Sequence, residues 1–229
     1  MDIQILQLLA GARAARGLTV IIDVFRAFSL ECYLFDAGVE RIYAVGAEQT
    51  ARDLKAAHPD YVLAGERKGI ILPGFDCGNS PSQNRKLPLR GRTVVHTTSA
   101  GTQGLVNAAG ADEIVTGSLV NAAAIARYIR QKQPARVSLV CMGLRTLSEA
   151  AEDTLCARYI KSLLEGAPLD MPREVALLRQ DETSRRFFDP AWQDVFPRED
   201  WYLCTAWDKF DFVLQVRQLK PDIFEVTKH

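Results

Sequence analysis

The sequence predicts an α/β protein built on an open, mostly parallel β-sheet with helices on both faces. Strand and helix patterns alternate over about 140 residues, which is the signature of consecutive β–α units. The run Leu18–Val24 is rich in β-branched residues and does not alternate with polar ones, as expected of a strand buried on both faces. Both observations indicate a parallel sheet.

Apolar runs define the predicted strands, and Gly or Pro residues end many of the segments. The predicted strands are Ile3–Leu8 (ended by Gly11), Leu18–Val24, Arg41–Val45, Tyr61–Glu66, Arg92–Thr98, Glu113–Thr116 and Arg136–Met142. The predicted helices are Arg26–Ala37, Ala47–His58, Gln103–Ala109, Val120–Gln133 and Glu149–Leu164.

The C-terminal part of the sequence is less regular. We expect two short helices at Glu174–Leu178 and Glu199–Ala206, and an edge strand at Phe212–Val216. No stretch has the composition of a linker, so residues 1–229 are predicted to form a single domain, with residues 168–229 as an extension packed on it.

Composition narrows the classes of partner. Lys and Arg together number 28, as do Asp and Glu, so net charge does not suggest binding to nucleic acid or to an anionic membrane. No apolar run approaches the ~18 residues of a membrane-spanning helix, and the first residues lack the basic segment of a signal peptide. The five cysteines are odd in number and scattered, which indicates reduced thiols in a cytoplasmic protein.

Ligands of open parallel sheets bind at the carboxyl ends of the strands. The loops after Val24, Glu66, Thr98 and Met142 are therefore the candidate site. In the first loop, Asp23 is suited to bind Mg²⁺, to act as a general base or to attack as a nucleophile, and Arg26 offers a planar fork for an anion. The alternative is structural: Asp23 caps the following helix, or pairs with Arg26.

The second loop, Gly65–Pro81, is long and rich in Gly and Pro, which is more typical of a functional loop than of a simple connection. Glu66 and Arg67 open it at a strand end, so that two carboxylates and two arginines could meet at one sheet edge and suit a divalent metal with an anionic substrate. Asn79 and Ser80 either hydrogen-bond a ligand or shape a turn.

The third and fourth loops add hydroxyl groups and another acid. Thr97, Thr98, Ser99, Gly101 and Thr102 lie where a strand meets a helix N-terminus, a place that favours anions, although capping of the helix is the alternative.

Asp153 starts the stripe of the Glu149–Leu164 helix that faces the sheet, with Glu152 beside it. Acids in a first helical turn are also common for dipole reasons alone. His96 lies inside an apolar strand and is interpreted as a core histidine.

The motifs of these loops resemble, in combination and in order, those of the 2-phosphosulfolactate phosphatase family. The matching segments are Asp23–Ala27, Gly65–Arg67, Pro73–Asp76, Gly78–Pro81, Thr97–Thr102 and Glu152–Ala157. Two positions depart from the family pattern: Phe28 replaces a small hydroxyl residue after Arg-Ala, and Ala100 replaces an Asn before Gly101.

The resemblance implies a three-layer α/β/α fold and a Mg²⁺-dependent phosphatase. The reaction would convert 2-phospho-3-sulfolactate, or a related phosphate ester of a 2-hydroxy acid, to the alcohol and phosphate, a step toward coenzyme M for the sulfonate. The metal ligands would be Asp23, Glu66 and Asp153, and these three with Arg26 would be the catalytic residues. The substrate-binding residues would be Arg67, Asn79, Ser80, Thr97, Thr98, Ser99, Gly101 and Thr102. The alternative is a non-catalytic protein on the same fold that binds a small anion; a homodimer stays open in both cases.

Overall fold

The computed structural model describes residues 1–167 and 169–229; Pro168, at which the predicted C-terminal extension begins, lies outside the described residues. The strands are β1 (Asp2–Gln7), β2 (Gly17–Ile22), β3 (Arg41–Val45), β4 (Val62–Arg67), β5 (Ile70–Ile71), β6 (Thr93–Thr97), β7 (Ala111–Gly117), β8 (Arg136–Cys141), β9 (Leu214–Lys220) and β10 (Ile223–Lys228). The α-helices are α1 (Leu8–Ala14), α2 (Ala27–Asp36), α3 (Glu48–Ala57), α4 (Pro81–Asn84), α5 (Gly101–Asn107), α6 (Ala122–Lys132), α7 (Ala151–Glu165), α8 (Met171–Leu178), α9 (Glu182–Arg185) and α10 (Arg198–Cys204).

The strands form one sheet with the order β1-β8-β2-β7-β9-β10-β3-β6-β4-β5. Alternating side chains of β2 pack on opposite faces: Ile21 lies in the core with α2 and α5, whereas Val20 and Ile22 lie in the core with α6 and α7. Helices therefore cover both faces, and the predicted three-layer α/β class with a mostly parallel sheet is confirmed.

The C-terminal strands differ from the prediction of an edge strand at Phe212–Val216. Strand β9 pairs with β7 on one side and with β10 on the other, so it lies inside the sheet, and the prediction of an edge is wrong. Strand β10 was not predicted at all. Arg217 and Gln218 lie at the exposed end of β9, beyond its pairing with β7.

The β9–β10 hairpin joins two parallel groups of strands, β1-β8-β2-β7 and β3-β6-β4. Three antiparallel pairings lie between β7 and β3, so the strands of the second group run opposite to those of the first. The chain crosses from one group to the other through α2 and back through α5.

Two glycines allow close helix packing that the sequence does not reveal. Gly104 places α5 against β2: a Cβ at this position would lie 2.5 Å from Cγ2 of Ile21. Gly11, expected to end the first strand, lies instead inside α1, where a Cβ would lie 2.9 Å from Leu6. In the described part of the chain, no helix is both long and apolar enough to cross a membrane.

Candidate active site

A cavity of about 790 Å³ lies where the ends of β2, β4, β6 and β8 meet the C-terminal segment. We call the residues that line it the cavity wall. Six residues predicted for the site belong to it: Asp23, Arg26, Glu66, Asn79, Ser99 and Asp153. Helix α2 starts shortly after Asp23, and α5 starts just after Ser99.

Asp23 lies at the centre of the acidic groups. It is buried, and its Oδ1 accepts a hydrogen bond from the backbone N–H of Ala27 at 3.3 Å, which caps α2. The backbone of Gly101 approaches it closely, since a Cβ on Gly101 would lie 3.0 Å from Oδ2. Burial, and then the charge of Glu66, raise the pKa of Asp23 to about 7.

Asp153 connects three elements around the same cavity. Its Oδ1 accepts from the N–H of Val24 and its Oδ2 from the N–H of Gly143, each at 2.8 Å, which ties α7 to the loops after β2 and β8. Burial and the charges of Asp23 and Glu152 raise its pKa well above the ordinary range. Burial also raises the pKa of Glu152, although a hydrogen bond from Thr183 opposes the shift.

Glu66 holds the turn after β4 and the turn after β6 together. It accepts from the N–H of Ser99 at 2.7 Å, from the N–H of Gly69 at 2.6 Å and from Oγ of Ser99 at 3.1 Å. Asp23, Glu66, Glu152 and Asp153 thus form a buried cluster of carboxylates that interact electrostatically. Their backbone donors keep the cluster in place but do not neutralise it.

Arg26 does not present a free fork to the cavity. Its guanidinium donates to Asp200 at 2.8 Å, to the carbonyl of Val195 at 2.9 Å and to the carbonyl of Gly69 at 3.2 Å, and it lies over the ring of Phe196. The ion pair between Arg26 and Asp23 that was expected as an alternative is therefore wrong, because the partner of Arg26 is Asp200 on α10.

Three cationic residues of the cavity wall were not predicted. Lys68 lies in the loop after β4, Arg145 lies in the loop after β8, and Arg186 belongs to the C-terminal segment. Burial lowers the pKa of Arg186, while the charges of Glu152, Asp23 and Glu66 oppose this shift. Its Nε is buried and has no hydrogen-bond partner among the described residues.

The other predicted substrate-binding residues do not belong to the cavity wall. These six residues are Arg67, Ser80, Thr97, Thr98, Gly101 and Thr102. Local hydrogen bonds explain most of them, as the following contacts show.

Arg67 follows Glu66 on β4, and consecutive side chains of a strand point to opposite faces of the sheet. The guanidinium of Arg67 donates to Oγ1 of Thr97. Ser80 caps α4 and contacts Asp200. Thr98 and Thr102 bind each other's backbone N–H groups with their hydroxyls. The capping and turn-forming alternatives therefore account for these hydroxyls.

The two departures from the family pattern lie in different surroundings. Ala100 belongs to the cavity wall, so a missing amide there changes a surface that a ligand can reach. Phe28, on α2, is fully buried in the hydrophobic core, and the hydroxyl of Ser29 after it donates to the carbonyl of Val24. Only the change at Ala100 alters the cavity directly.

The predicted metal ligands do not form a preformed cage. Among the described residues, no group of three or more Asp, Glu, His or Cys side chains is arranged to hold a metal ion on its own. Asp23, Glu66 and Asp153 nevertheless offer only oxygen donors, and burial together with neighbouring carboxylate charges raises the pKa values of Asp23 and Asp153. This donor set fits Mg²⁺, which commonly uses one or two carboxylates together with water and phosphate oxygens.

The pairing of Arg26 with Asp200 predicts a large loss of stability when Asp200 is changed to Asn. Asp200 is fully buried and also accepts hydrogen bonds from Oγ of Ser80 and from the backbone N–H of Ser82. The change to Asn therefore leaves the buried guanidinium of Arg26 without its counter-charge. We expect the free energy of unfolding to fall by about 3–5 kcal/mol in chemical denaturation. Glu199→Gln, on the same helix but in an exposed pair with Arg85, should cost less than about 1 kcal/mol. Equal effects of the two changes would contradict the buried role of Asp200.

The fold and the cavity define an α/β protein whose site combines buried carboxylates with cationic side chains, an arrangement suited to chemistry on an anionic substrate. The family model described as 2-phosphosulpholactate phosphatase matches residues 4–218. The chain therefore belongs to the 2-phosphosulpholactate phosphatase family, a family of phosphoric monoester hydrolases.

Individual relatives agree with this family. A probable 2-phosphosulfolactate phosphatase of Bacillus subtilis is 30% identical over 206 residues, which cover 90% of this chain and 89% of the relative. A protein of the same description from Symbiobacterium thermophilum is 33% identical over 154 residues, covering 66% of this chain and 65% of the relative. One from Carboxydothermus hydrogenoformans is 38% identical over 146 residues, covering 63% and 59%.

Proposed function

We propose that the protein hydrolyses 2-phosphosulfolactate to sulfolactate and phosphate, or acts on a closely related phosphate ester of a 2-hydroxy acid. The observation that carries the proposal is the convergence of Asp23, Glu66, Asp153 and Arg186 in one cavity of a chain that belongs to this family. The proposed setting is the cytoplasm, in a route toward coenzyme M, without a nucleic-acid partner.

The carboxylate of Asp23 is the group best placed to start the reaction. It acts either as a base toward water or as a nucleophile toward phosphorus, and both roles need its ionised form. Its pKa of about 7 leaves a substantial ionised fraction near neutral pH even before a substrate or a cation binds. Asp153 and Glu66 fix the loops that hold Asp23.

The cations of the cavity wall match the charge of the substrate. Phosphosulfolactate carries a phosphate, a carboxylate and a sulfonate, and the cavity wall contains Lys68, Arg145 and Arg186 in addition to the engaged Arg26. The first turn of α7 also lines the cavity, and helix N-termini favour anions. These groups would hold the substrate and stabilise the negative charge that develops during phosphoryl transfer.

Mg²⁺ is part of the proposal. Asp23, together with Glu66 or Asp153, would hold the ion, and the substrate's phosphate and water would complete its ligands. When bound, Mg²⁺ supplies a positive charge that polarises the phosphoryl group and offsets the carboxylate cluster.

Release of phosphate tests the proposal. We expect turnover of 2-phosphosulfolactate with Mg²⁺ and none after removal of divalent ions by a chelator. 2-Phospholactate, which lacks the sulfonate, should show a higher KM because one anionic contact is missing. Absence of turnover across these esters, with the esters still bound in calorimetry, would replace the phosphatase by the non-catalytic anion-binding alternative.

A further inference from the structure

A buried hydrogen-bond relay connects the core of the protein to the cavity wall. Nδ1 of His96 lies 2.9 Å from Oε1 of Glu31, and Nε2 of His96 lies 3.2 Å from Oδ1 of Asn79. Glu31 and His96 are fully buried, and Asn79 is 5% exposed. Asn79 is the member of the relay that lines the cavity.

The neighbours of His96 define the direction of its contact with Asn79. Oε1 of Glu31 lies at Nδ1, and Oε2 of Glu31 is buried without a hydrogen-bond partner among the described residues, so Glu31 holds the ring through Nδ1 alone. The atom of Asn79 that faces Nε2 is the amide oxygen Oδ1, which can only accept.

This contact gives the second ring nitrogen one role. Nε2 of His96 carries the proton of the contact and donates it to Asn79. Oδ1 of Asn79 accepts this bond, which sets the orientation of the amide. The orientation of an Asn amide is otherwise free to flip, because the oxygen and nitrogen have similar shapes.

The amide nitrogen of Asn79 then remains for a ligand. Nδ2 has no hydrogen-bond partner among the described residues and is not fully buried, and Asn79 lines the cavity, so its N–H groups are free to donate there. We propose that Glu31 and His96 are positioning residues, which orient Asn79 so that its N–H groups bind an anionic oxygen of the substrate. This inference deepens the proposed function and rests on it for the identity of the substrate.

The orientation of the relay can be measured without any turnover. In the wild-type protein with ¹⁵N-labelled histidine, nuclear magnetic resonance should show a proton on Nε2 of His96. The His96→Gln variant identifies the resonance. An unprotonated Nε2 would overturn the proposal, because Asn79 would then have to donate to the ring and could not offer the same groups to the cavity.

A double-mutant cycle tests the positioning role. Asn79→Ala should raise KM for 2-phosphosulfolactate and the Kd for inorganic phosphate by about 10-fold or more, as expected for a lost hydrogen bond to a charged group. His96→Ala should act in the same direction in the wild-type background but change neither constant in the Asn79→Ala background. His96→Gln, whose amide can donate in place of Nε2, should recover part of the loss and covers the case in which His96→Ala does not fold.

The controls separate this inference from the proposed function. His58→Ala removes an exposed histidine remote from the cavity wall and should leave both constants unchanged. Equal losses from His96→Ala with and without Asn79 would show a merely structural role and overturn the inference. If the protein does not turn over 2-phosphosulfolactate at all, the Kd for inorganic phosphate and the resonance of His96 still decide between these outcomes.

Discussion

Changing Asp23 to Asn is expected to lower kcat by about 10³-fold or more while the fold stays intact. Asn retains an oxygen that can accept the hydrogen bond from Ala27, so that the start of α2 is preserved. It removes the charge needed to take a proton, to attack phosphorus or to bind a cation. Phosphate release at saturating substrate measures the loss.

The same change should not destabilise the metal-free protein. Burial and Glu66 raise the pKa of Asp23, so the ionised carboxylate is unfavourable in the folded state above pH 7. A neutral amide removes this cost, and thermal unfolding at pH 8 should occur at an equal or higher temperature than in the wild type. Asp60→Asn, at an exposed position, serves as the control for loss of one charge. An active Asp23→Asn variant would mean that the carboxylate has another role.

The parts of the fold that depend on local pattern could be predicted from the sequence. Runs such as Leu18–Val24 and Arg41–Val45 are buried strands because consecutive apolar side chains have to face cores on both sides of the sheet. The position of β9 between β7 and β10 could not be predicted, because it depends on pairing with residues about a hundred positions earlier. The opposite direction of the two parallel groups follows from the same hairpin.

The acids of the site could also be predicted, because a carboxylate at the end of a buried strand needs a reason to be there. Asp23 and Glu66 were found in this way, whereas Asp153 was found from its place on the sheet-facing stripe of a helix. The hydroxyls of Thr98 and Thr102 were overestimated, since each forms a local hydrogen bond that a sequence cannot distinguish from a ligand contact.

Contacts distant in sequence account for what was missed. Arg186 belongs to a C-terminal segment with no strand end to mark it, and Arg185 beside it is exposed. His96 looks like a core histidine, and it is fully buried; its link to the cavity appears only when Glu31 and Asn79 are seen on either side of it.

The carboxylate cluster predicts that the metal-free protein becomes less stable as the pH rises from about 4 to above 7. A carboxyl group with a raised pKa in the folded state keeps its proton in this range, whereas the unfolded chain has already lost it. The unfolded state then binds fewer protons, so the free energy of unfolding falls with rising pH, and the fall is complete above the folded pKa. Asp23, with a pKa of about 7, sets the window, and the raised pKa of Asp153 acts in the same direction.

Comparison of the wild type with Asp23→Asn isolates this contribution from all other titrating groups. Between pH 5 and pH 8 the unfolding temperature of the wild type should fall relative to that of the variant by on the order of 5 °C. Excess Mg²⁺ at pH 8 should raise the unfolding temperature of the wild type and have little effect on the variant, because the ion binds only the folded state and needs the ionised carboxylate. Parallel pH curves for the two proteins would show that Asp23 is ionised throughout. An equal response to Mg²⁺ would place the ion elsewhere, because a cation bound to Asp23 must lose affinity when that charge is removed.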